Sequence, residues 1–573
     1  MVGKTFLSQQ NLADKHQQAG QYLNRMRWLY QYDLQDPYAS FNGSIACLST
    51  KGIKKWLITM PSWRLAVMTI YKLVMLLLVG VYALIKSSLK GYPFANFSDY
   101  YFFFFRQANA QYLDRFNDDA YFGLQRVSGP NPTWIKGLTV ADDILENFAV
   151  ADTVASLTGL TYTEALENQR LYLADYSALE VMTEQLKTLA NGRQQYITNP
   201  LALFYRQDDG LLKPLAIKLY GTKPTGDQNP IYTPNHGNHW TMAKMFVQNA
   251  DVVAQNCWTH SVRTHYLIGS LVLATYRQLL PSHPLFKLLQ PHWQDTLAVN
   301  TLVRYYRPSH AGGKIPPFGM VLPCQQDTLA DFMGEGMKTY SFKGMAFPQD
   351  LQQQHLSDPD LFFPYRDDGK LVWDAIHQFV RQYVTLYYQS DRDVANDSQL
   401  QAWADEISGS LTENKMGITD FPRRFNTIDE VVETVGNIIF ITTAQHNCVH
   451  YSLYQYVAFA PNMPFSLMSP PNTDLETPLS SNYLSQLMPP LKNVLVQSLG
   501  FYLNYIQTKK IGDYKLSQFE PAARAAIKDY QQKLATIGEE IEQRNQERDA
   551  LNPDLSLRYD LMNPRYMANS ITS

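Results

Sequence analysis

Cysteine is scarce and scattered: four in 573 residues, Cys47, Cys257, Cys324 and Cys448, with no CxxC pair. That spacing argues against a disulfide framework or a zinc ribbon and fits a reducing compartment. Excess charge is also missing. A net charge of −3 provides no basic field to gather nucleic acid, so no nucleic-acid partner is expected. The opening residues MVGKTFLSQQNLADK hold no apolar stretch of the kind a secretory signal needs, and a cytoplasmic location is expected. There is no internal repeat and no low-complexity tract. No uninterrupted apolar run reaches the roughly 20 residues of a spanning helix; the longest, Leu73 to Ile85, stops at 13.

What is plentiful is aromatic surface, with 37 Tyr and 28 Phe, which suits a large interior and apolar pockets. The pattern predicts a mainly α protein with a small β element. Asp208-Asp209-Gly210 between β-prone runs over 202–219 reads as a hairpin. Helical periodicity covers 240–280, 291–306, 371–389, 428–459, 484–508 and 520–549, and the Pro-rich stretches 308–323 and 460–490 read as loops. The segment 63–86 is different. Counting from Leu65 reaches spanning length only by burying Lys72. A core helix, an interfacial helix and a spanning helix all compete. Lys51, Lys54, Lys55 and Trp56 upstream favour the membrane surface, with Trp63, Leu76, Leu77 and Val81 in lipid and Lys72 and Lys86 snorkelling. The expected layout is therefore a helical extension over 1–90 and one large body over 91–573.

Two histidine pairs stand out. His260 and His265 are five apart in NCWTHSVRTH, which places their rings roughly 140° apart on an ordinary helix. Either they are unrelated core residues or the helix is locally widened. His446 and His450, in TTAQHNCVHYSLYQY, share one helical face. Two such pairs in two apolar helices point to a redox or Lewis-acid metal, and periodicity does not choose which. Cys257 and Cys448, beside these histidines, read as small packing residues.

The order and spacing of WTMAKMFVQNAD, VVAQNCWTHSVRTH, ATYRQLLPSHPLFKLLQPHW and AVNTLVR resemble the lipoxygenase family. So do GPNPTWI at 129–135, LFYRQDDGLLKPLAIKL, FPYRDDGKLVWDAIHQFVRQYV, TTAQHNCVHYSLYQY and the closing MANSITS. The likeness runs from about residue 95 to the last residue. It implies one large helical catalytic domain around a non-heme iron, the central helix widened to π geometry so that both histidines of the x-H-x4-H motif meet the metal. His260, His265, His446 and His450 would be ligands, with the main-chain carboxylate of Ser573 as the fifth. Most relatives end in Ile. Manganese in the same set stays open.

By that resemblance the activity is a dioxygenase acting on polyunsaturated fatty acids. A hydrogen leaves a doubly allylic carbon, O2 adds, and a fatty-acid hydroperoxide results; hydroperoxide isomerisation, or silent lipid binding on the same fold, are the alternatives. Four pocket positions depart from the family. Val303 stands where Ala or Gly tunes stereochemistry, Asn256 and Leu453 where Gln is frequent, and Met463 where an Arg can meet the substrate carboxylate. The 90 residues before the body leave no room for the β-barrel lipid-binding domain of many eukaryotic relatives. A compact, bacterial-type monomer bound to the membrane surface is the expectation.

Overall fold

The computed structural model describes residues 17–571 apart from 34–43, 45–46, 49–62, 104–114, 143, 146–147, 190, 222–228, 306–321, 414 and 504–508. Ser573 and the lysines at 51, 54 and 55 lie outside the described residues.

A two-residue pair, β1 (Tyr32–Asp33) with β2 (Cys47–Leu48), precedes the main sheet. That sheet is antiparallel in the order β3 (Ile135–Gly137), β4 (Leu171–Asp175), β5 (Leu201–Arg206), β6 (Leu212–Lys218), β7 (Ile231–Tyr232). The expected hairpin is β5 and β6. Gln207 N donates to Leu211 O at 2.9 Å, and Gly210 takes φ +83° where a β-carbon would meet Asp360 O at 2.6 Å. Both the dihedral and the space demand glycine. The sheet divides two cores. On β4, Tyr172 and Ala174 enter the main one, while Leu171 and Leu173 face a smaller cluster with Phe148, Val150 and Val154. A strand covered on both faces shows no alternation, which is why its sequence does not advertise it.

The helical body is built around two long helices. Helix α2 runs over 238–278 as Asn238–Ala254, a π segment Gln255–Tyr266, and Leu267–Gln278. Helix α5 runs over 428–456 as Ile428–Phe440, a π segment Ile441–Gln445, and His446–Tyr456. Thr427 caps the latter by accepting from Glu430 N at 3.1 Å, an ordinary N-cap. Between them lie α3 (Thr296–Tyr305) and α4 (Pro364–Val384), and beyond them α6 (Leu491–Leu503) and α7 (Pro521–Leu551). Helix α7 is pinned to α4 by Arg548, which grips the fully buried Asp368 carboxylate through two nitrogens at 2.6 and 2.9 Å. Arg544 adds a third contact at 3.0 Å. Paired charges of this kind survive burial because every oxygen is satisfied.

Helix α1 (Trp63–Lys90) packs along α6. It offers the core a narrow edge, Val79 and Ala83, both buried. Most of its described large apolar side chains face outward: Leu77 is 69% exposed, Val81 53% and Leu84 61%. Of the membrane-facing residues expected from sequence, the side chains of Trp63, Lys72 and Leu76 lie outside the described set. Lys86 is a correction. It turns back toward the body, donates to Asp99 O at 2.8 Å and sits 5.6 Å above the Phe94 ring. A lysine at a helix end takes a nearby carboxylate and carbonyl in preference to open solvent when the chain supplies both. No helix among the described residues is long and apolar enough to cross a membrane.

Candidate metal centre

The widened turns answer the spacing problem. In π geometry each N–H reaches five residues back, so the helix takes more residues per turn. His260 and His265 then converge, with their Nε2 atoms 3.1 Å apart. From α5, His446 Nε2 lies 3.2 Å from His265 Nε2, and His450 Nδ1 lies 3.0 Å from His260 Nε2. The four candidate donor atoms fall within 4.8 Å of one another and all four residues are buried.

Hydrogen bonding alone does not account for this cluster. A ring nitrogen offers one in-plane lone pair or one proton, so it serves one partner well. Here His260 Nε2 faces two ring nitrogens, and so does His265 Nε2. Protonation is no remedy, since burial pushes His260 well below the ordinary histidine range and His265 down to about 4. His265 Nδ1 donates to Asn300 Oδ1 at 3.0 Å, and Asn300 Nδ2 donates to the His265 carbonyl at 2.6 Å, which fixes the amide orientation. His265 Nε2 is therefore a bare lone pair aimed at its neighbours. Neutral imidazoles converging in a buried site are the donor set of a divalent transition metal. The residues fit a metal.

The surroundings hold both helices in place. Gln255, on the π segment, donates to Val449 O across to α5 at 2.6 Å. Its neighbour Asn256, expected at the pocket, is only half-buried. Asn131, from the GPNPTWI motif, donates to Asp251 at 2.9 Å and accepts from Thr259 at 2.8 Å, one residue before the first ligand position. Asp251 also pairs with Arg126 at 3.0 Å, both nearly inaccessible, and accepts from Tyr176 at 2.8 Å. Reading the sequence passed over Asn131, Asp251 and Asn300; a polar residue inside an otherwise apolar helical face is the signal that could have found them.

The C-terminal tail reaches the same neighbourhood. His292, fully buried, donates from Nδ1 to Asn569 O at 2.7 Å and accepts the Tyr514 hydroxyl at 2.8 Å. Ile511 N binds Met567 O at 2.9 Å, and Thr296 on α3 reaches Ile571 O at 3.3 Å. Of the remaining pocket residues, Leu453 and Met463 are buried, and Met463 O accepts from Gln497 at 2.8 Å. Val303 lies on α3, one turn past Asn300, with its side chain outside the described set. Cys257 and Cys448 are buried packing residues, as expected.

Comparison with known proteins bears on this geometry. A family model described as Lipoxygenase matches residues 113–564. The chain belongs to the lipoxygenase family. It is 33% identical over 467 residues to the hydroperoxide isomerase ALOXE3 of Homo sapiens, covering 79% of this chain and 62% of that lipoxygenase relative. It is 31% identical over 473 residues to the polyunsaturated fatty acid lipoxygenase ALOX15B of Homo sapiens, covering 80% and 66%. The chain thus spans just under two thirds of these relatives' length. Among solved structures, a lipoxygenase crystallised anaerobically with arachidonate superposes with a TM-score of 0.84 at 24% identity, over 97% of this chain and 81% of that one. The coral 8R-lipoxygenase superposes with a TM-score of 0.81 at 25% identity, over 97% and 81%. These two establish that the lipoxygenase catalytic fold accounts for nearly the whole chain.

Proposed function

We propose that this lipoxygenase is an iron dioxygenase that converts polyunsaturated fatty acids of the linoleate, linolenate or arachidonate type to hydroperoxides. The observation that carries the reading is the buried convergence of His260, His265, His446 and His450 from two π-widened helices. Iron, when bound, supplies one-electron redox chemistry toward a doubly allylic C–H bond and O2. The protein's own part is to keep His260 and His265 neutral by burial, to hold the four imidazoles at fixed angles, and to exclude water from the reacting tail. Ser573 is proposed as a fifth ligand through its main-chain carboxylate. The tail supports this, since it is bonded as far as Ile571 to α3, the helix that also holds His265. Val303, Asn256, Leu453 and Met463 are proposed to shape the substrate and oxygen pocket.

The membrane surface is the proposed source of substrate. The exposed Leu77, Val81 and Leu84 on α1 support an interfacial helix, since each Å² of apolar surface withdrawn from water contributes roughly 25 cal/mol. On this reading the protein is a monomer that works on the cytoplasmic side, peripherally attached.

Metal analysis of the purified protein, with diene absorbance and O2 uptake on adding linoleate or arachidonate, tests the reading. One iron per chain, a rising diene signal and matched O2 uptake are expected. Manganese in place of iron corrects the cofactor. Turnover of hydroperoxides without O2 uptake replaces the reaction by isomerisation, and binding of fatty acid without turnover makes the protein a silent lipid carrier.

A further inference from the structure

The bond between Asn300 and His265 needs an empty place on the facing helix. One turn after His265, α2 carries Gly269, and a β-carbon there would lie 2.8 Å from Asn300 Nδ2. That distance is shorter than a carbon and an amide nitrogen tolerate. Asn300 is 6% exposed, and its amide is committed at both ends to His265, to the ring through Oδ1 and to the carbonyl through Nδ2. A methyl group at 269 would have to displace the amide, and displacing it disturbs both bonds. Among the described residues the His260 Nδ1 atom has no hydrogen-bond partner, whereas the His265 ring is held by a side-chain amide.

We propose that Gly269 and Asn300 are positioning residues of the metal centre. Gly269 keeps the space open. Asn300 then fixes the His265 tautomer with the proton on Nδ1, sets the tilt of the ring, and strengthens Nε2 as a donor. Because Thr296, one turn earlier on α3, holds Ile571 O, α3 ties this ligand and the tail into one unit. The proposal rests on the metal reading of the four histidines and not on the fatty-acid reaction.

The test measures cobalt(II) affinity by chelator competition, together with the visible spectrum of the bound ion, in the full chain and its variants. Gly269→Ala and Asn300→Ala are each expected to weaken binding about 10- to 100-fold, the usual cost of losing an outer hydrogen bond to a ligating histidine, and to shift the spectrum. The double variant should be no worse than Asn300→Ala, because the added methyl then has no amide to displace. Asn300→Asp, whose carboxylate accepts the same Nδ1–H but sets an oxygen against the His265 carbonyl, should recover only part of the affinity lost in Asn300→Ala. Asn300→Leu, which keeps the volume and removes both bonds, decides the matter if the alanine variant does not fold. Wild-type affinity and spectrum in Asn300→Ala or Asn300→Leu overturn the proposal. So do losses that multiply in the double variant. Failure of the oxygenation reading would leave every one of these affinities as expected.

Discussion

Along α2 many polar side chains lie inside, and along α1 most of the described large apolar ones lie outside. Asp251, Gln255, Thr259, His260 and His265 are all buried, and their neighbours supply Arg126, Val449 O, Asn131 and Asn300 as partners. On α1 only Val79 and Ala83 of the described side chains are fully buried, while Leu77, Leu78, Val81, Leu84 and Ile85 are exposed. Hydropathy ranks the two helices in the wrong order. What decides burial is whether the surrounding residues provide a matching surface: hydrogen-bond partners for one helix, and, among the described residues, apolar cover along only a narrow edge of the other.

The comparison is broken most severely at α2. His265→Ala removes one donor and leaves the other three rings facing a gap. Metal content should fall at least about 100-fold and diene formation should drop to background, read by metal analysis and absorbance. Next in size, Asp251→Ala strands the buried Arg126 guanidinium, and urea unfolding should show a loss of about 3–5 kcal/mol. A third effect follows from acid. Burial pushes His265 and His292 each down to about 4 from an ordinary value near 6.5. The unfolded chain takes up protons at these sites first, so stability is complete above the ordinary value and falls as the pH drops toward 4. The slope for the metal-free protein should reach roughly 1.4 kcal/mol per pH unit for each histidine. A pH series of unfolding curves should flatten by that amount in a His292→Gln variant.

The smallest expected effect on stability belongs to α1. Replacing Leu77, Val81 and Leu84 together with Gln should alter unfolding free energy by less than about 0.5 kcal/mol per site, as exposed positions do. The same triple variant should lose most of its co-sedimentation with anionic vesicles and turn over vesicle-borne substrate more slowly, while detergent-dispersed substrate is affected little. Unfolding or loss of metal in this variant would show that these side chains belong to the core.

Much of this was readable in the residues. The β5–β6 hairpin announced itself through Asp208-Asp209-Gly210, and α2, α5 and α7 through periodicity, close to their observed ends; α4 begins earlier than the expected 371, and the expected helix 484–508 is two helices, Ser481–Gln486 and Leu491–Leu503. The histidine spacing at 260 and 265 left a widened turn as one of two alternatives, and the family resemblance chose it. No such flag exists for the π segment Ile441–Gln445, since His446 and His450 share a face with or without it. Strand β4 was silent because both of its faces are covered. Lys86 was misread because the carboxylate that claims it, Asp99, is brought near by the chain's path and not by helical spacing. Asn300 was quoted only as part of a motif, because its meaning depends on the absent side chain of Gly269, 31 positions away.

A π segment also has a meaning at the level of the gene. Relative to an ordinary helix it holds extra residues without extra length, so it is equivalent to an in-frame insertion that the fold has retained. Deleting a codon within 255–266 would remove part of what widens the turn and let this stretch of α2 relax toward ordinary α-helical geometry. The relative placement of His260, His265 and Gly269 would change while each remaining residue kept its identity. In a lineage of such proteins this stretch should therefore accept substitutions far more readily than any change in its length.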